Sequence, residues 1–205
     1  MGSRAFGLAT EASDTDRRGV FVPPTPMFWG LTKPPPHVEG PEEERFSWEL
    51  ERFCELALRS NPNALETLHS PLVEHADARG HELLDLRGAF LSRKAHRSFT
   101  GYAQAQHRKL RTAAPRWKPA MHMLRLLTSC RDLLRTGTLT LDVGAERERL
   151  LSVRRGEVPW PRVDAWATRL LEECEEALTA SPLPEEPDTA RVEDFLIRVR
   201  RASAA

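Results

Sequence analysis

The chain has 205 residues, 40% of them hydrophobic, which is enough to bury one sizeable core and argues against intrinsic disorder. Thirty Lys and Arg residues balance thirty Asp and Glu residues, so the molecule as a whole is not an electrostatic trap for nucleic acid or anionic membranes. No apolar run approaches the ~18 residues that a membrane span needs, and no apolar signal core is present at the start. We therefore expect a soluble cytoplasmic protein.

The first 41 residues contain few signals for regular structure. They begin with a small-residue turn at Gly2-Ser3, and the β-branched and aromatic end of residues 13–22 predicts a strand. Residues 23–41 hold seven prolines and two glycines. This composition predicts an exposed or wrapping loop without regular structure.

The rest of the chain is predicted to be mostly helical. Apolar residues at helical spacing predict a helix from Ser47 to Ser60, and residues 64–69 are interpreted as a short helix or strand. Further helices, each bounded by Gly, Pro or a capping residue, are predicted at about 80–91, 93–112, 119–135, 144–155, 160–179 and 188–201. Asp188 is placed to cap the last of these helices.

Cysteine and histidine do not indicate a metal site. Cys54, Cys130 and Cys174 are far apart and lie in helix-like segments, which favours reduced core thiols over a metal or redox role. The seven histidines have no paired ligand spacing, so a structural zinc site is not expected.

Two aspartates near the start are candidate metal ligands. If residues 14–16 form a strand, the carboxylates of Asp14 and Asp16 point from the same face. Such a pair can bind Mg²⁺, which prefers hard oxygen ligands and shares them with substrate phosphates in phosphoryl and nucleotidyl transfer. The Asp-x-Asp pattern alone is weak, since such pairs are common in turns.

The Gly2-Ser3 turn, eleven residues upstream of the aspartates, strengthens this interpretation. Glycine lets the backbone approach a phosphate, and serine adds a hydroxyl donor at what could be a helix N-terminus. A glycine-serine turn with Asp-x-Asp beginning eleven positions after the serine is the layout of the polymerase β nucleotidyltransferases. Arg4 and Ser13, beside these motifs, join Gly2 and Ser3 as candidate nucleotide-binding residues.

Longer motifs extend the similarity over nearly the whole chain. They are Gly-Ser-Arg-Ala-Phe-Gly (2–7), Ser-Asp-Thr-Asp-Arg-Arg-Gly (13–19), Glu-Leu-Glu-Arg-Phe (49–53), Asn-Pro-Asn (61–63), Gly-Tyr (101–102), Lys-Pro-Ala-Met-His-Met-Leu-Arg-Leu-Leu (118–127), Arg-Arg-Gly-Glu (154–157) and Ser-Pro-Leu-Pro (181–184). In this set the chain resembles the RlaP-like group of bacterial nucleotidyltransferases in the DNA polymerase β superfamily.

The resemblance implies a magnesium-dependent active site. Asp14 and Asp16 would hold two Mg²⁺ ions, and Gly2 and Ser3 would hold the phosphates of a nucleoside triphosphate. A third carboxylate would complete the metal site and act as the base. Glu44 is our choice, with Glu42 and Glu43 as competitors and a solvated acidic loop as the alternative for all three.

One feature departs from the family pattern. The family normally has a helix and a first core strand before the glycine-serine turn, whereas this sequence begins at Met1. We expect either a true start further upstream or a catalytic sheet that lacks part of its usual structure.

The middle of the chain is strongly basic. Between Asp85 and Asp132 there is no acidic residue but eleven Lys or Arg residues, which could neutralise a triphosphate or follow a nucleic-acid backbone. The alternative is a solvated helical face. Candidates for gripping phosphates or stacking a base here are Lys94, Tyr102, Lys118, His122 and Arg125, although a buried, hydrogen-bonded core role for His122 is left open.

The sequence thus predicts an α+β protein. A reduced nucleotidyltransferase core at residues 1–70 would carry an α-helical bundle at residues 80–205. The expected reaction moves a nucleoside monophosphate from a nucleoside triphosphate to an acceptor hydroxyl, with an RNA end as the favoured acceptor. A non-catalytic nucleotide- or RNA-binding module and, more remotely, a hydrolase with Asp14 as nucleophile are the alternatives, and the oligomeric state is not indicated.

Overall fold

The computed structural model describes residues 1–11, 13–40, 45–111 and 116–204. In this part of the chain a short helix α1 (Gly2–Ala5) precedes strand β1 (Arg17–Phe21), and strands β2 (His37–Glu39) and β3 (Arg45–Glu49) follow. The sheet order is β1-β3-β2. β3 pairs parallel with β1, from Arg17 opposite Arg45 to Phe21 opposite Glu49, and antiparallel with β2.

Eight helices follow the sheet in the described part of the chain. They are α2 (Leu50–Leu58), α3 (Pro62–Leu68), α4 (Ala78–Asp85), α5 (Lys94–Arg111), α6 (Trp117–Thr136), α7 (Arg147–Arg154), α8 (Trp160–Thr179) and α9 (Thr189–Ala202). Short 3₁₀ turns at Thr25–Phe28, Arg87–Phe90 and Gly144–Glu146 connect some of these elements. The predicted α+β class is confirmed.

Capping side chains explain several helix starts. The Glu49 carboxylate, at the end of β3, accepts hydrogen bonds from the backbone of Glu51 and Arg52 and so begins α2 directly from the strand. Asn61 caps α3 by accepting from the amide of Ala64, with Pro62 at the first helical position. Asp188 accepts from the amide of Arg191 at 3.1 Å, which confirms the predicted cap of the last helix.

α6 is the central element of the helical part. It packs against α5, α7 and α8, and its buried residues run along most of its length. One hydrophobic core joins sheet and helices: fully buried Phe53, Phe90, Phe99 and Phe195 come from α2, the turn after α4, α5 and α9. The proposed division into residues 1–70 and 80–205 stays a prediction.

The strand predicted at the end of residues 13–22 is present as β1, whereas one prediction about the first 41 residues was wrong and one premise does not hold. Residues 23–41 contain a 3₁₀ turn and strand β2, because proline is tolerated at the start of an edge strand and β3 supplies a hydrogen-bonding partner. Asp14 and Asp16 lie in an extended loop before β1, so the assumption that a strand aligns their side chains does not hold. Helix 80–91 was also predicted too long, since it ends at Asp85 and a 3₁₀ turn containing Gly88 follows.

Candidate active site

The loop that carries the two aspartates is held through its backbone. The Arg4 guanidinium donates hydrogen bonds to the carbonyls of Asp14 at 3.3 Å and Ser13 at 3.2 Å. The Met1 amino group donates to the carbonyl of Asp16 at 2.7 Å. Asp14 is exposed, and its carboxylate has no hydrogen bond or ion pair within the described residues. These contacts fix the main chain without using the Asp14 carboxylate.

Gly2 lies directly against Asp16. Its φ of +66° is in the left-handed region, and a Cβ added there would lie 2.1 Å from Asp16 Oδ2. Only glycine therefore lets the two segments approach this closely. The structure brings the glycine-serine turn and the Asp-x-Asp loop together, as an active site built from both motifs requires.

Arg18 is a site residue that the sequence did not single out. Its guanidinium donates to Asp16 Oδ1 at 3.2 Å, and both side chains are about one quarter exposed, at 29% and 27%. Its position two residues after Asp16 was the available signal, because alternate residues at the start of a strand share a face. Arg18 places positive charge beside a candidate metal ligand.

A cavity of about 330 Å³ opens between the sheet and the helices, within the size range of small-molecule sites (~300–1,000 Å³). Gly2, Asp16, Arg18 and Trp48 line it on the sheet side. On the helical side α3 contributes Asn63, Glu66 and Thr67, α5 contributes Tyr102 and Gln106, and α6 contributes His122 and Arg125. Charged side chains thus line both sides of the cavity: Asp16 and Arg18 on the sheet side, and the paired Glu66 and Arg125 on the helical side.

Arg125 joins three segments behind the cavity. Its guanidinium donates to Glu66 Oε1 at 2.7 Å and lies 3.7 Å from the centre of the Phe6 ring. Both charged side chains are nearly inaccessible, with 7% of Arg125 and 4% of Glu66 exposed. Glu66 therefore neutralises the Arg125 charge. The two contacts of Arg125 link α6 to α3 and to the segment after α1.

His122 lies one turn before Arg125 and faces the same cavity. Burial and neighbouring positive charges lower the pKa of its ring to about 4. The charges belong to Arg125, Lys118 and Arg154. At neutral pH the ring is uncharged, so it can donate one hydrogen bond and accept another.

Tyr102 and its neighbours form the polar helical side. Tyr102 is 53% exposed, and its hydroxyl accepts a hydrogen bond from the Asn61 amide at 3.2 Å. Asn63, Thr67 and Gln106 were missed by sequence reasoning. Asn63 and Thr67 are separated by one helical turn on α3, a spacing that becomes informative only once a cavity beside that helix is known.

The remaining predicted site residues are not gathered at the cavity. Lys94 forms an ion pair with Glu186 in the segment before α9. Ser3, Arg4, Asp14 and Lys118 do not line the cavity, although the charge of Lys118 contributes to the lowered pKa of His122. Ser13 is held through the carbonyl that accepts from Arg4, and its hydroxyl accepts from the amide of Thr10. Glu42, Glu43 and Glu44 lie outside the described residues.

The donor chemistry of the aspartate loop fits a hard cation, since Asp14 and Asp16 offer carboxylate oxygens. Within residues 1–11, 13–40, 45–111 and 116–204 there is no group of three or more His, Cys, Asp or Glu that could hold a metal ion. In the same ranges Cys54, Cys130 and Cys174 are buried free thiols, in keeping with the predicted core role. Magnesium sites commonly complete their ligand set with water and substrate phosphate.

None of the described helices combines the length and the apolarity needed to cross a membrane. This finding agrees with the lack of a long apolar run in the sequence.

Comparison with known proteins identifies the family of the chain. No solved structure matches it significantly. The chain is 27% identical over 151 residues to the uncharacterized protein YcgL of Bacillus subtilis, a match that covers 67% of this chain and 55% of that relative. The match therefore spans only about half the length of the relative. The model of the RlaP family, the RNA repair pathway DNA polymerase beta family, matches residues 1–198, and the chain belongs to this family.

Proposed function

We propose that the protein is a magnesium-dependent nucleotidyltransferase that moves a nucleoside monophosphate from a nucleoside triphosphate to an acceptor hydroxyl. Membership of a polymerase β family supports the reaction class. The observation that carries the proposal is the contact between Gly2 and Asp16, because it joins the two motifs at one side of a nucleotide-sized cavity.

The metal site in this proposal consists of Asp14, Asp16 and Glu44. Asp14 and Asp16 supply oxygen ligands from the loop before β1. Glu44 immediately precedes Arg45, whose partner across the sheet is Arg17, the residue after Asp16. Two Mg²⁺ ions bound there would neutralise charge on the attacking and leaving oxygens.

The side chains on the sheet side bind and orient the phosphates. Gly2 permits close approach of the backbone to them. Ser3, the next residue, is proposed to add its hydroxyl at the glycine-serine turn, outside the cavity lining. Arg4 keeps the aspartate loop in place through the carbonyls of Ser13 and Asp14. The Arg18 guanidinium stabilises the negative charge that develops during transfer, since it already lies against Asp16.

The helical side positions the rest of the nucleotide. Tyr102, half exposed at the cavity wall and oriented by Asn61, offers an aromatic face for stacking a base. His122, uncharged at neutral pH, lines the same wall and can donate one hydrogen bond to the substrate. In the transfer step the acceptor oxygen bonds to the α-phosphorus while the bond to pyrophosphate breaks, and the hydroxyl proton goes to Glu44.

An RNA end is the acceptor that we favour. The family description names an RNA repair pathway, and the residues between Asp85 and Asp132 are rich in cations. Phosphate backbones bind such cation-rich surfaces. A protein or small-molecule acceptor would retain the same chemistry at the α-phosphorus.

The test is transfer of labelled α-phosphate from each nucleoside triphosphate to total RNA and total protein in the presence of magnesium. Wild type is compared with Asp14→Asn/Asp16→Asn and with Asp194→Asn, a matched change on the exposed face of α9. We expect label in RNA from wild type and the control, and a loss of about 1,000-fold in the double variant, because several kcal/mol of charge stabilisation disappear.

Absence of transfer by wild type from every nucleotide, with nucleotide binding intact, would contradict the enzyme and favour a non-catalytic binding module. Label in protein instead of RNA would support the nucleotidyl-transfer reaction and contradict RNA as the acceptor.

A further inference from the structure

Two cations near the cavity have no acidic partner among the described residues. The side chains of Lys118 on α6 and Arg154 at the end of α7 form no ion pair or hydrogen bond with any other described residue. Arg155, the next residue along the chain, is in contrast paired with Glu157 at 2.6 Å. The chain as a whole has zero net charge, so the missing counterion is a feature of this site and not of the overall composition.

The fold brings together the segments of α6 and α7 that carry Lys118 and Arg154. α7 packs against α6, and Gly156, just after α7, lies against Trp117 at the start of α6. A Cβ added to Gly156 would lie 2.8 Å from Trp117 Nε1, so the approach depends on glycine at this position. The end of α7 is thereby fixed beside Trp117, the residue before Lys118.

His122 connects the two cations to the cavity. It follows Lys118 by four residues on α6, so the two side chains share a helical face. The positive charges of Lys118 and Arg154 both lower the pKa of His122. His122 itself lines the cavity that holds Gly2 and Asp16.

We propose that Lys118, His122 and Arg154 form an anion subsite for a phosphate group of a substrate, built by α6 and α7 and distinct from the glycine-serine turn. Lys118 and Arg154 donate charge-assisted hydrogen bonds to the phosphate oxygens, and the uncharged His122 donates one more. A bound phosphate relieves the mutual repulsion of two cations that lack a carboxylate partner.

The proposal deepens the function proposed above and rests on it for the identity of the ligand. Either the terminal phosphate of the nucleoside triphosphate or a phosphate on the acceptor RNA end has the required chemistry. Arg125 is not part of this subsite, because Glu66 already neutralises its charge.

Binding measurements can distinguish the two sources. The probes are ATP, AMP, and one short RNA oligonucleotide prepared with and without a 3′-phosphate, each titrated calorimetrically. The variants are Arg154→Ala, Lys118→Ala and the charge-preserving Arg154→Lys. Arg155→Ala is the matched control, since it removes a neighbouring arginine whose charge is already paired.

We expect Arg154→Ala and Lys118→Ala each to weaken binding of the phosphate-bearing probe about tenfold or more, the loss of one hydrogen bond to a charged group. Arg154→Lys retains most of the affinity, and Arg155→Ala leaves it unchanged. A loss for ATP but not AMP assigns the subsite to the triphosphate. A loss for the 3′-phosphorylated RNA but not its dephosphorylated form assigns it to the acceptor.

Unchanged affinity of Arg154→Ala and Lys118→Ala for all four probes would overturn the subsite, as would an equal loss in Arg155→Ala. A failure of the subsite proposal can be distinguished from a failure of the proposed function. Asp14→Asn/Asp16→Asn abolishes transfer while leaving the effect of Arg154→Ala on binding in place. If binding depends on Arg154 but the wild type shows no transfer activity, the subsite proposal is supported and the proposed enzyme activity is contradicted.

Discussion

The two sides of the cavity are built differently. On the sheet side Asp16 is about one quarter exposed. The adjoining loop between α1 and β1 carries the exposed Asp14, which does not line the cavity, and is held by hydrogen bonds to its carbonyls. On the helical side Glu66 and Arg125 are almost completely buried and bind each other. The sheet side leaves carboxylates available for chemistry, whereas the helical side uses its charges to fix the shape of the cavity.

This difference implies a separation of effects. Changes on the sheet side should alter activity more than stability, because few buried contacts depend on those side chains. Changes at the buried pair should alter stability first, because a lone buried charge is costly. The following predictions test this separation.

The largest effect on stability is expected from Glu66→Ala. It leaves the Arg125 charge buried without its partner, which costs about 3–5 kcal/mol of unfolding free energy. Urea unfolding followed by circular dichroism measures this loss. The double variant Glu66→Leu/Arg125→Met removes both charges and should be clearly more stable than Glu66→Ala; equal instability of the two variants would show that the charge is not the cause.

Gly2→Ala combines a moderate loss of stability with a loss of activity. A left-handed alanine costs about 1–2 kcal/mol, and its Cβ displaces Asp16. Gly101→Ala is the control: this helical glycine on α5 has open space around it, so alanine should stabilise the fold by about 1 kcal/mol. Transfer activity in Gly2→Ala equal to that of Gly101→Ala would contradict the role of the Gly2–Asp16 contact.

The unfolding free energy should depend on pH through His122. Burial and neighbouring cations lower its pKa from the ordinary 6.5 to about 4, so the unfolded chain binds the proton more readily. This contribution to stability is complete above pH 6.5 and is lost as the pH falls towards 4. His69, whose pKa burial also lowers to about 4, adds a similar dependence.

Unfolding titrations at a series of pH values between these limits measure the slope. His122→Gln should flatten it, and His81→Gln, a change at an exposed position, should not. The same slope in His122→Gln and wild type would mean that His122 does not titrate as the buried structure requires.

The smallest effect is expected from Lys94→Ala. Its ion pair with Glu186 is largely solvent-exposed, with side chains 48% and 68% exposed, so its loss should change stability by less than about 1 kcal/mol. Transfer activity should be unchanged, since Lys94 does not line the cavity. Loss of activity without loss of stability would return Lys94 to the nucleotide-binding residues.

Much of the helical structure was predictable because its signals are local. Apolar spacing located α5, α6, α8 and α9 to within about two residues, and Asp188 was recognised as a cap. The strand β2 was missed because its local composition opposes regular structure, and only pairing with β3 stabilises it. The family was recognised from motifs spread over the chain, and the family match confirms it.

The sequence by itself determined the helical segments, the family and the two motifs that the proposed chemistry needs, since these depend on residue type and short spacing. Only the tertiary structure decided which charges are free and which are committed. Arg125 pairs with Glu66 and Lys94 with Glu186, partners 59 and 92 residues apart, whereas the side chains of Lys118 and Arg154 have no carboxylate partner among the described residues. Such assignments depend on distance in space, because Coulomb and hydrogen-bond energies act between neighbouring atoms whatever their separation along the chain.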